Sequence, residues 1–247
     1  MRLTVLGCGD AFGSGGRLQS AYLVAVGGKR MLIDCGATTG LAMKRAGINP
    51  ASIPAIVISH LHGDHFAGLV WFVLEAVYVG KRKAPLEILG PAGIELRFTA
   101  AAEALFPGFT TVERGFDLCF TEMVAERRIV IGVFTVTAFE VEHPSGGPSH
   151  ALRCEADGRV LAFSGDTQWT ESLLRAGGGA DLFLLECYTF EGAPRYHLSW
   201  EVIRSQLDRI GARQVVLTHM SEAMLARCSE VDDPRVGLAE DGLVIEI

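Results

Sequence analysis

Three histidines and an aspartate lie within residues 59–65, which read Ser-His-Leu-His-Gly-Asp-His. Neutral imidazole and carboxylate are ligands that zinc and similar ions take from proteins. In an extended chain His60 and His62 point to the same side, because side chains alternate with period two. The glycine that follows lets the backbone turn, so Asp64 and His65 can approach from a second direction. The segment therefore predicts metal binding, and its two sets of ligands indicate two ions.

The composition is that of an acidic chain with a large hydrophobic core. The 247 residues include 49% hydrophobic ones and 29 glycines, and the formal net charge is −7. This charge argues against a surface coated with basic residues for long nucleic acids, although bound cations would add positive charge where a phosphate sits. The six cysteines form no Cys-x-x-Cys pair, so we expect free thiols in a reducing compartment.

The hydrophobic runs are short. The first seven residues resemble a strand and not a signal peptide. The longest apolar run, Phe66–Val79, is interrupted by Glu75 and is shorter than the ~20 residues that span a bilayer. We therefore expect a cytoplasmic protein without membrane contact. Since no linker or repeat is visible, we expect one domain over residues 1–247.

Strand-like and helix-like runs alternate along the chain. The apolar runs predict helices at Phe66–Val79, Ala92–Leu105, Glu171–Ala176 and Trp200–Ile210. They predict strands at Leu3–Leu6, Tyr22–Val26, Arg30–Ile33, Ile56–Ile58, Leu86–Leu89, Leu152–Glu155, Val160–Phe163, Leu182–Leu185 and Val215–Leu217, and two or more strands within Ile129–Val141. A hairpin turn is predicted at Asp157-Gly158. The pattern alone indicates a mixed α and β fold.

The run His-x-His-x-Asp-His after a strand resembles the metallo-β-lactamase superfamily of metal-dependent hydrolases. The resemblance covers nearly the whole chain, from Leu6 to Ser221. It implies the fold of that superfamily, a four-layer αβ/βα sandwich of the α/β (α+β) class. Helices on the outside of two stacked sheets are one of the ways to bury elements that are apolar on one face.

The family pattern also implies a set of ligands. It assigns His60, His62, His143 and Asp166 to one ion, and Asp64, His65, Asp166 and His219 to the second. Asp166 would bridge the ions, because a carboxylate can bind one ion with each oxygen. Asp34, at the end of a strand, would orient the histidines without binding metal itself.

One further motif narrows the resemblance to the ribonuclease Z and phosphodiesterase branch. Residues 217–221, Leu-Thr-His-Met-Ser, resemble the final ligand motif of that branch. A histidine in a context like that of His197 acts near the leaving group there, and Glu186 would hold its ring and raise its pKa. The catalytic residues implied by the resemblance are therefore Asp64, His197 and Glu186.

These residues imply hydrolysis of a phosphodiester. Two cations that share a hydroxide lower its pKa and neutralise charge on the attacked phosphate, and a cationic His197 would protonate the leaving oxygen. Ribonuclease Z proper carries a long arm between its third ligand histidine and its bridging aspartate. Here only 22 residues, 144–165, separate His143 from Asp166. The predicted substrate is therefore a small phosphodiester or nucleotide, such as a cyclic nucleotide.

Several alternatives stay open at the sequence level. The same two metals would hydrolyse an ester, thioester or lactone, and a ribonuclease Z-type 3′-endonuclease would act on RNA. A non-catalytic binding protein and a homodimer are further alternatives. Zinc suits the ligands, but manganese and iron accept the same set. The runs Lys81–Lys83 and Gly13–Arg17 are either solvated loops or substrate contacts, and His150 belongs to no motif.

Overall fold

The computed structural model describes residues 1–192 and 195–247, and it contains two seven-stranded sheets. The strands of the first sheet are Arg2–Gly7 (β1), Ala21–Val26 (β2), Lys29–Ile33 (β3), Ala55–Val57 (β4), Leu86–Gly90 (β5), Leu118–Glu122 (β6) and Val244–Glu246 (β14). The strands of the second are Arg128–Ile131 (β7), Phe134–Val141 (β8), Ser149–Ala156 (β9), Arg159–Phe163 (β10), Leu182–Glu186 (β11), Val215–Thr218 (β12) and Val236–Leu238 (β13).

The strand orders are β14-β1-β2-β3-β4-β5-β6 and β13-β12-β11-β10-β9-β8-β7. The α-helices are Thr39–Arg45 (α1), Gly63–Phe66 (α2), Gly68–Tyr78 (α3), Ile94–Leu105 (α4), Ser172–Gly177 (α5), Trp200–Ile210 (α6) and Glu222–Leu225 (α7). Short 3₁₀ helices lie at Ser14–Gly16, Pro50–Ser52, Phe109–Thr111 and Cys228–Glu230.

Three hydrophobic clusters define the layers. One lies between the sheets, where residues such as Val5 and Val24 share a cluster with Phe163 and Leu184. A second joins the first sheet to α1, α3 and α4, and a third joins the second sheet to α5 and α6. The order helix, sheet, sheet, helix confirms the predicted four-layer sandwich.

Strand direction explains why the predicted site residues meet. β3 and β4 are parallel, and so are β10, β11 and β12. β8 has the direction of β10, because each is antiparallel to β9. The loops that follow these strands therefore leave each sheet at one edge. The two sheets meet there: the Tyr22 hydroxyl lies 2.7 Å from Thr218 Oγ1, and the His219 amide donates to the Cys8 carbonyl oxygen at 3.0 Å.

The structure divides two of the predicted runs. The predicted helix Phe66–Val79 is part of two helices, α2 and α3, and the latter begins at Gly68. A Cβ at Gly68 would lie 2.1 Å from the Gly36 carbonyl oxygen, so only glycine allows this close approach to the loop after β3. The run Ile129–Val141 is a hairpin, β7 and β8, that turns at Gly132 with φ 59°.

The sequence did not predict α1, α7, β6, β13 and β14. The last two are three-residue strands and the outermost strands of their sheets, which leaves little hydrophobic pattern to detect. In the described part of the chain all six cysteines are unpaired. Within the same residues, no helix has both the length and the hydropathy that crossing a bilayer requires.

Candidate metal centre

All seven predicted ligands lie together at the shared edge of the two sheets. They come from the loop and helix after β4 and from the loops after β8, β10 and β12: His60, His62, Asp64, His65, His143, Asp166 and His219. All of them are buried except His62, which is half-buried. The turn into α2 lets Asp64 and His65 approach from a different direction than His60 and His62.

The first group consists of three histidines. The ligand atoms of His60, His62 and His143 lie within 4.8 Å of one another. His143 Nε2 is 3.0 Å from His62 Nδ1. The remaining ring nitrogen of His143 lies 3.0 Å from the Tyr196 carbonyl oxygen, to which it can only donate. Nε2 of His143 therefore has its lone pair turned towards the other two rings, as metal binding requires.

The second group consists of Asp64, His65, Asp166 and His219, also within 4.8 Å of one another. His219 Nε2 lies 3.2 Å from Asp64 Oδ2 and 3.3 Å from Asp166 Oδ2. His65 Nε2 lies 3.2 Å from Asp166 Oδ1. The backbone of His219 has φ 57°, a conformation that non-glycine residues seldom adopt and that concentrates at functional sites.

Asp166 lies between the two groups. Its Oδ2 is 3.7 Å from His60 Nε2 and 3.9 Å from His143 Nε2, whereas its Oδ1 faces His65 of the second group. Burial alone would raise the pKa of the Asp166 carboxyl, but the surrounding histidines, His219 first, hold that pKa well below its usual range. Asp166 is therefore a carboxylate within reach of both groups.

The donor set and its hydrogen bonding fit metal ions. Nε2 of His60, Nε2 of His65 and Oδ1 of Asp166 are buried, and none of them has a partner in hydrogen-bond geometry among the described residues, although the last two atoms are 3.2 Å apart. Buried polar atoms are seldom left without a partner in folded proteins. These atoms converge and are imidazole nitrogens and carboxylate oxygens, the ligands of zinc and similar ions. The residues present can therefore hold metal.

Asp34 supports this edge from behind. It is fully buried, and its Oδ1 accepts from the Ser59 amide at 2.7 Å. Its Oδ2 lies 2.6 Å from His65 Nδ1 and 2.8 Å from the Ser59 hydroxyl. Because an ionised carboxylate can only accept, His65 must carry its proton on Nδ1. Its Nε2 is then available as a ligand, which is the orienting contact that metal-binding histidines usually have.

His197 and Glu186 form a pair beside the second group. Both carboxylate oxygens of Glu186 lie 3.1–3.2 Å from His197 Nδ1, and they also accept from the Thr167 and Leu198 amides. Burial alone would lower the pKa of His197, but the hydrogen bond and charge of Glu186 raise that pKa to about 9. One ring nitrogen of His197 lies within 4.8 Å of ligand atoms of His143 and Asp166. A proton donor is thus held at the edge of the metal centre.

The sequence did not assign a role to Tyr188. Its ring stacks on His197 with the ring centroids 4.7 Å apart, and His197 in turn stacks on His219 at 5.6 Å. Burial of the Tyr188 hydroxyl, together with the nearby charge of Asp10, raises its pKa. Tyr188 lies in the segment Leu185–Phe190, which resembles the family, but nothing in its spacing distinguishes it from an aromatic residue of the core.

The sequence did not decide whether the basic run Lys81–Lys83 contacts a substrate. Arg82 is 5% exposed and donates to the carbonyl oxygens of Ile53, Ala84 and Pro85. It lies before the start of β5, at the opposite end of the strands from the metal ligands. The basic run Lys81–Lys83 therefore does not contact the substrate at this edge.

The loop Gly13–Arg17 lies on the same edge as the metal ligands. The Asp10 carboxylate accepts from the Ser14 amide and hydroxyl at 2.9 and 2.7 Å, and Arg17 donates to the Ala239 carbonyl oxygen at 2.8 Å. These bonds fix the loop.

His150 is buried, and its amide donates to the Ser59 carbonyl oxygen at 3.1 Å. Burial lowers the pKa of its ring to about 4.

The sequence is similar along nearly its full length to known hydrolases. The family model described as Anti-Pycsar protein Apyc1 matches residues 1–245. Ribonuclease Z of Mycobacterium sp. (strain KMS) is 30% identical over 239 residues, which cover 89% of this chain and 84% of the relative. The probable metallo-hydrolase YhfI of Bacillus subtilis (strain 168) is 26% identical over 259 residues and aligns over the full length of both chains.

Solved structures show the same architecture. The short form of human tRNase Z has a TM-score of 0.81 and 26% sequence identity, and the match covers 100% of this chain and 99% of that one. A diphosphatase from the PhnP family has a TM-score of 0.80 at 21% identity and covers 100% of this chain and 97% of that one. The first similarity extends to sequence, whereas the second shows the fold.

Proposed function

Because the chain belongs to the Anti-Pycsar protein Apyc1 family and is a metal-dependent hydrolase of the phosphodiesterase and nuclease class, we propose that it cleaves small phosphodiesters, cyclic nucleotides among them. We further propose that two ions are bound. The first would be held by His60, His62, His143 and Asp166, and the second by Asp64, His65, Asp166 and His219. Zinc is the proposed metal, because imidazole nitrogens and carboxylate oxygens are ligands that it takes from proteins.

The position of Asp166 carries this proposal. Its Oδ1 lies 3.2 Å from His65 of the second group, and its Oδ2 lies between the groups, 3.3 Å from His219 and 3.7 Å from His60. Two-metal hydrolases hold their ions ~3.5–4 Å apart, and a carboxylate between two sets of ligands can hold ions at that spacing. When bound, the ions supply an activated water and positive charge beside the attacked phosphate.

The side chains around the ions orient the substrate and the departing group. Glu186 fixes the ring of His197 and stabilises its protonated form, so one ring nitrogen is protonated and faces the centre. We assign to His197 the proton that the leaving oxygen takes up. The Tyr188 and His219 rings both pack against this ring, with centroids 4.7 and 5.6 Å from its centroid and 6.2 Å from each other. Asp34 keeps His65 in the tautomer that binds metal.

The size of the substrate follows from the segment between His143 and Asp166. It consists of the loop 144–148, the strands β9 and β10, and their two-residue turn. The Ser149 and Ser145 hydroxyls, 3.0 Å apart, close this loop, and the Ser149 hydroxyl also donates to the His143 carbonyl oxygen at 2.6 Å. No part of it extends from the body to hold a large RNA. This favours a small diester over a precursor RNA.

A ribonuclease Z-type endonuclease is the second candidate. Two observations favour it: the 30% identity to a ribonuclease Z and the similarity to human tRNase Z over the full chain. An acyl hydrolase, with an ester, thioester or lactone as substrate, uses the same metal chemistry. A thioester would not need the half-buried acid paired with Glu186, since a thiolate departs without a proton.

The experiment that tests the proposal combines elemental analysis with a substrate panel. We expect two equivalents of metal per chain and turnover of cyclic nucleotides and bis-p-nitrophenyl phosphate. Removal of metal with a chelator should abolish both activities, and added Zn²⁺ or Mn²⁺ should restore them. Efficient turnover of p-nitrophenyl acetate without turnover of any diester would instead establish the acyl hydrolase. A single equivalent of metal in an active enzyme would contradict the two-ion site.

A further inference from the structure

A cavity of about 410 Å³ opens beside His197. Trp169, Arg195, His197, Ser199 and Val202 line it, together with neighbouring residues. His197 thus borders both the metal centre and the cavity, so a group seated in the cavity would be next to the bond that is broken. The volume falls within the range of small-molecule sites, ~300–1,000 Å³.

The walls of the cavity are fixed by bonds to the segment that carries a candidate metal ligand. The Gln168 amide donates to the Glu142 carbonyl oxygen at 3.3 Å, and the Gln168 side chain donates to the Glu142 carboxylate. On the other side, His143 Nδ1 donates to the Tyr196 carbonyl oxygen at 3.0 Å. Both walls are therefore tied to residues 142–143, and the cavity has its shape before a substrate binds.

The lining combines a flat aromatic surface with a cation. Trp169 is half-buried and packs against the hydrophobic cluster under α6, so one part of the indole remains accessible. The Arg195 guanidinium lies 4.8 Å from the centroid of the Tyr196 ring. In the described part of the chain Arg195 forms no ion pair, and the acidic residue nearest to it in sequence, Glu191, pairs with Arg227 at 2.9 Å. The cavity therefore offers a stacking surface and hydrogen-bond donors whose charge is not neutralised.

These features suit a flat heteroaromatic ring with acceptor atoms on its edge. Bases stack on aromatic side chains regardless of sequence, because each has a π-face, and guanidinium groups both stack on rings and donate to acceptors. An aliphatic leaving group would use neither feature. A second phosphate would use only Arg195.

We infer that this cavity is the nucleobase subsite of the enzyme. This inference rests on the proposed function, since it places the phosphodiester at the metal centre. The base then stacks on Trp169, the acceptors on its edge face Arg195, and the sugar passes His197, which lies beside the leaving oxygen. The substrate class is a nucleotide diester, in preference to an alkyl or phospholipid diester.

The test replaces Trp169 by alanine and by phenylalanine and compares cyclic AMP with the cyclic phosphate of the same sugar without a base. Stacking of one base contributes ~1–3 kcal/mol, so Trp169→Ala should lower kcat/KM for cyclic AMP by ~10-fold or more. The value for the base-free compound should not change, and Trp169→Phe should retain most of the activity. The matched control is Trp71→Ala, a half-exposed tryptophan on α3 that is outside the cavity.

A second readout does not depend on turnover. Titration with AMP should quench tryptophan fluorescence in the native protein and in Trp71→Phe, but not in Trp169→Phe. Melting temperature and metal content of each variant show whether it is folded and loaded.

Equal losses for both substrates, or AMP quenching that survives in Trp169→Phe, would overturn the subsite. So would a native enzyme that hydrolyses the base-free compound as well as cyclic AMP. If the native enzyme cleaves neither diester, the proposed function fails. The fluorescence titration then still decides whether the cavity binds a base.

Discussion

Asp166 is the residue on which the proposed two-ion site depends, because its carboxylate lies within reach of both groups of histidines. Replacement by alanine should remove both metals, and we expect less than a tenth of the native metal content by elemental analysis. Asp232→Ala is the matched control, since this exposed carboxylate pairs with Arg204 at the surface. Retention of one full equivalent of metal in Asp166→Ala would show that Asp166 does not bridge.

His197 is the residue whose loss should separate metal binding from catalysis. His197→Ala should keep both metals and lower turnover by ~10²–10⁴-fold, the usual contribution of a positioned acid. The loss should be smaller with a p-nitrophenolate leaving group, which departs without a proton, than with an alkoxide. Equal losses for the two kinds of leaving group would mean that His197 only positions the substrate.

At the scale of secondary structure, Asp34 joins the end of β3 to the segment after β4, because its carboxylate bonds to Ser59 and His65. Asp34→Asn keeps the shape of the side chain but can turn an amide N–H towards His65 Nδ1. This favours the His65 tautomer with its proton on Nε2, which cannot bind metal through that nitrogen. We expect a ~10–100-fold loss of affinity at the second metal site, measured by competition with a chelator. Asp157→Asn is the control: Asp157 also has positive φ, 51° against 55° for Asp34, but it lies in the exposed β9–β10 turn. Equal affinity in both variants would contradict the orienting role.

Sequence reasoning identified the elements that carry strong apolar runs and missed the weak ones. Strands such as Leu182–Glu186 are buried along their whole length and were easy to find. Strand β6 has no fully buried residue and is exposed at Cys119, Thr121 and Glu122. Its place beside β5 depends on contacts between residues distant in sequence. The same limit applies to the site. His60 and His62 follow from spacing, but Tyr188 stacks on His197, nine positions later in the sequence, and no periodicity links these two residues.

At the scale of the whole molecule, the proposed preference for a small diester predicts poor action on precursor tRNA. The net charge is −7, and the basic run Lys81–Lys83 lies at the opposite end of the strands from the candidate metal ligands, so it would not help to hold a long polyanion there. Binding of precursor tRNA should therefore be weak and depend little on salt. Each phosphate contact steepens the fall of the binding constant with salt concentration, and few such contacts are expected here. Cleavage assays between 50 and 200 mM salt measure this. Efficient processing with a steep salt dependence would contradict it, and a basic surface formed by dimerisation would be the cause to examine first.

The shared edge of the two sheets has a consequence for folding. The candidate ligands extend from residue 60 to residue 219 and belong to both sheets, so an unfolded chain cannot assemble the site. The free energy of metal binding is then part of the free energy of folding. Each tenfold rise in free metal above the dissociation constant should add ~1.4 kcal/mol per site to the free energy of unfolding. Hydrogen exchange should show which part of the protein is stabilised. Exchange of the amides in the loops after β4, β10 and β12 should slow when metal is added, and exchange of those in β7 should not change. Metal would thus act as a reversible crosslink between the two halves of the chain, and chelation would open the protein from this edge first.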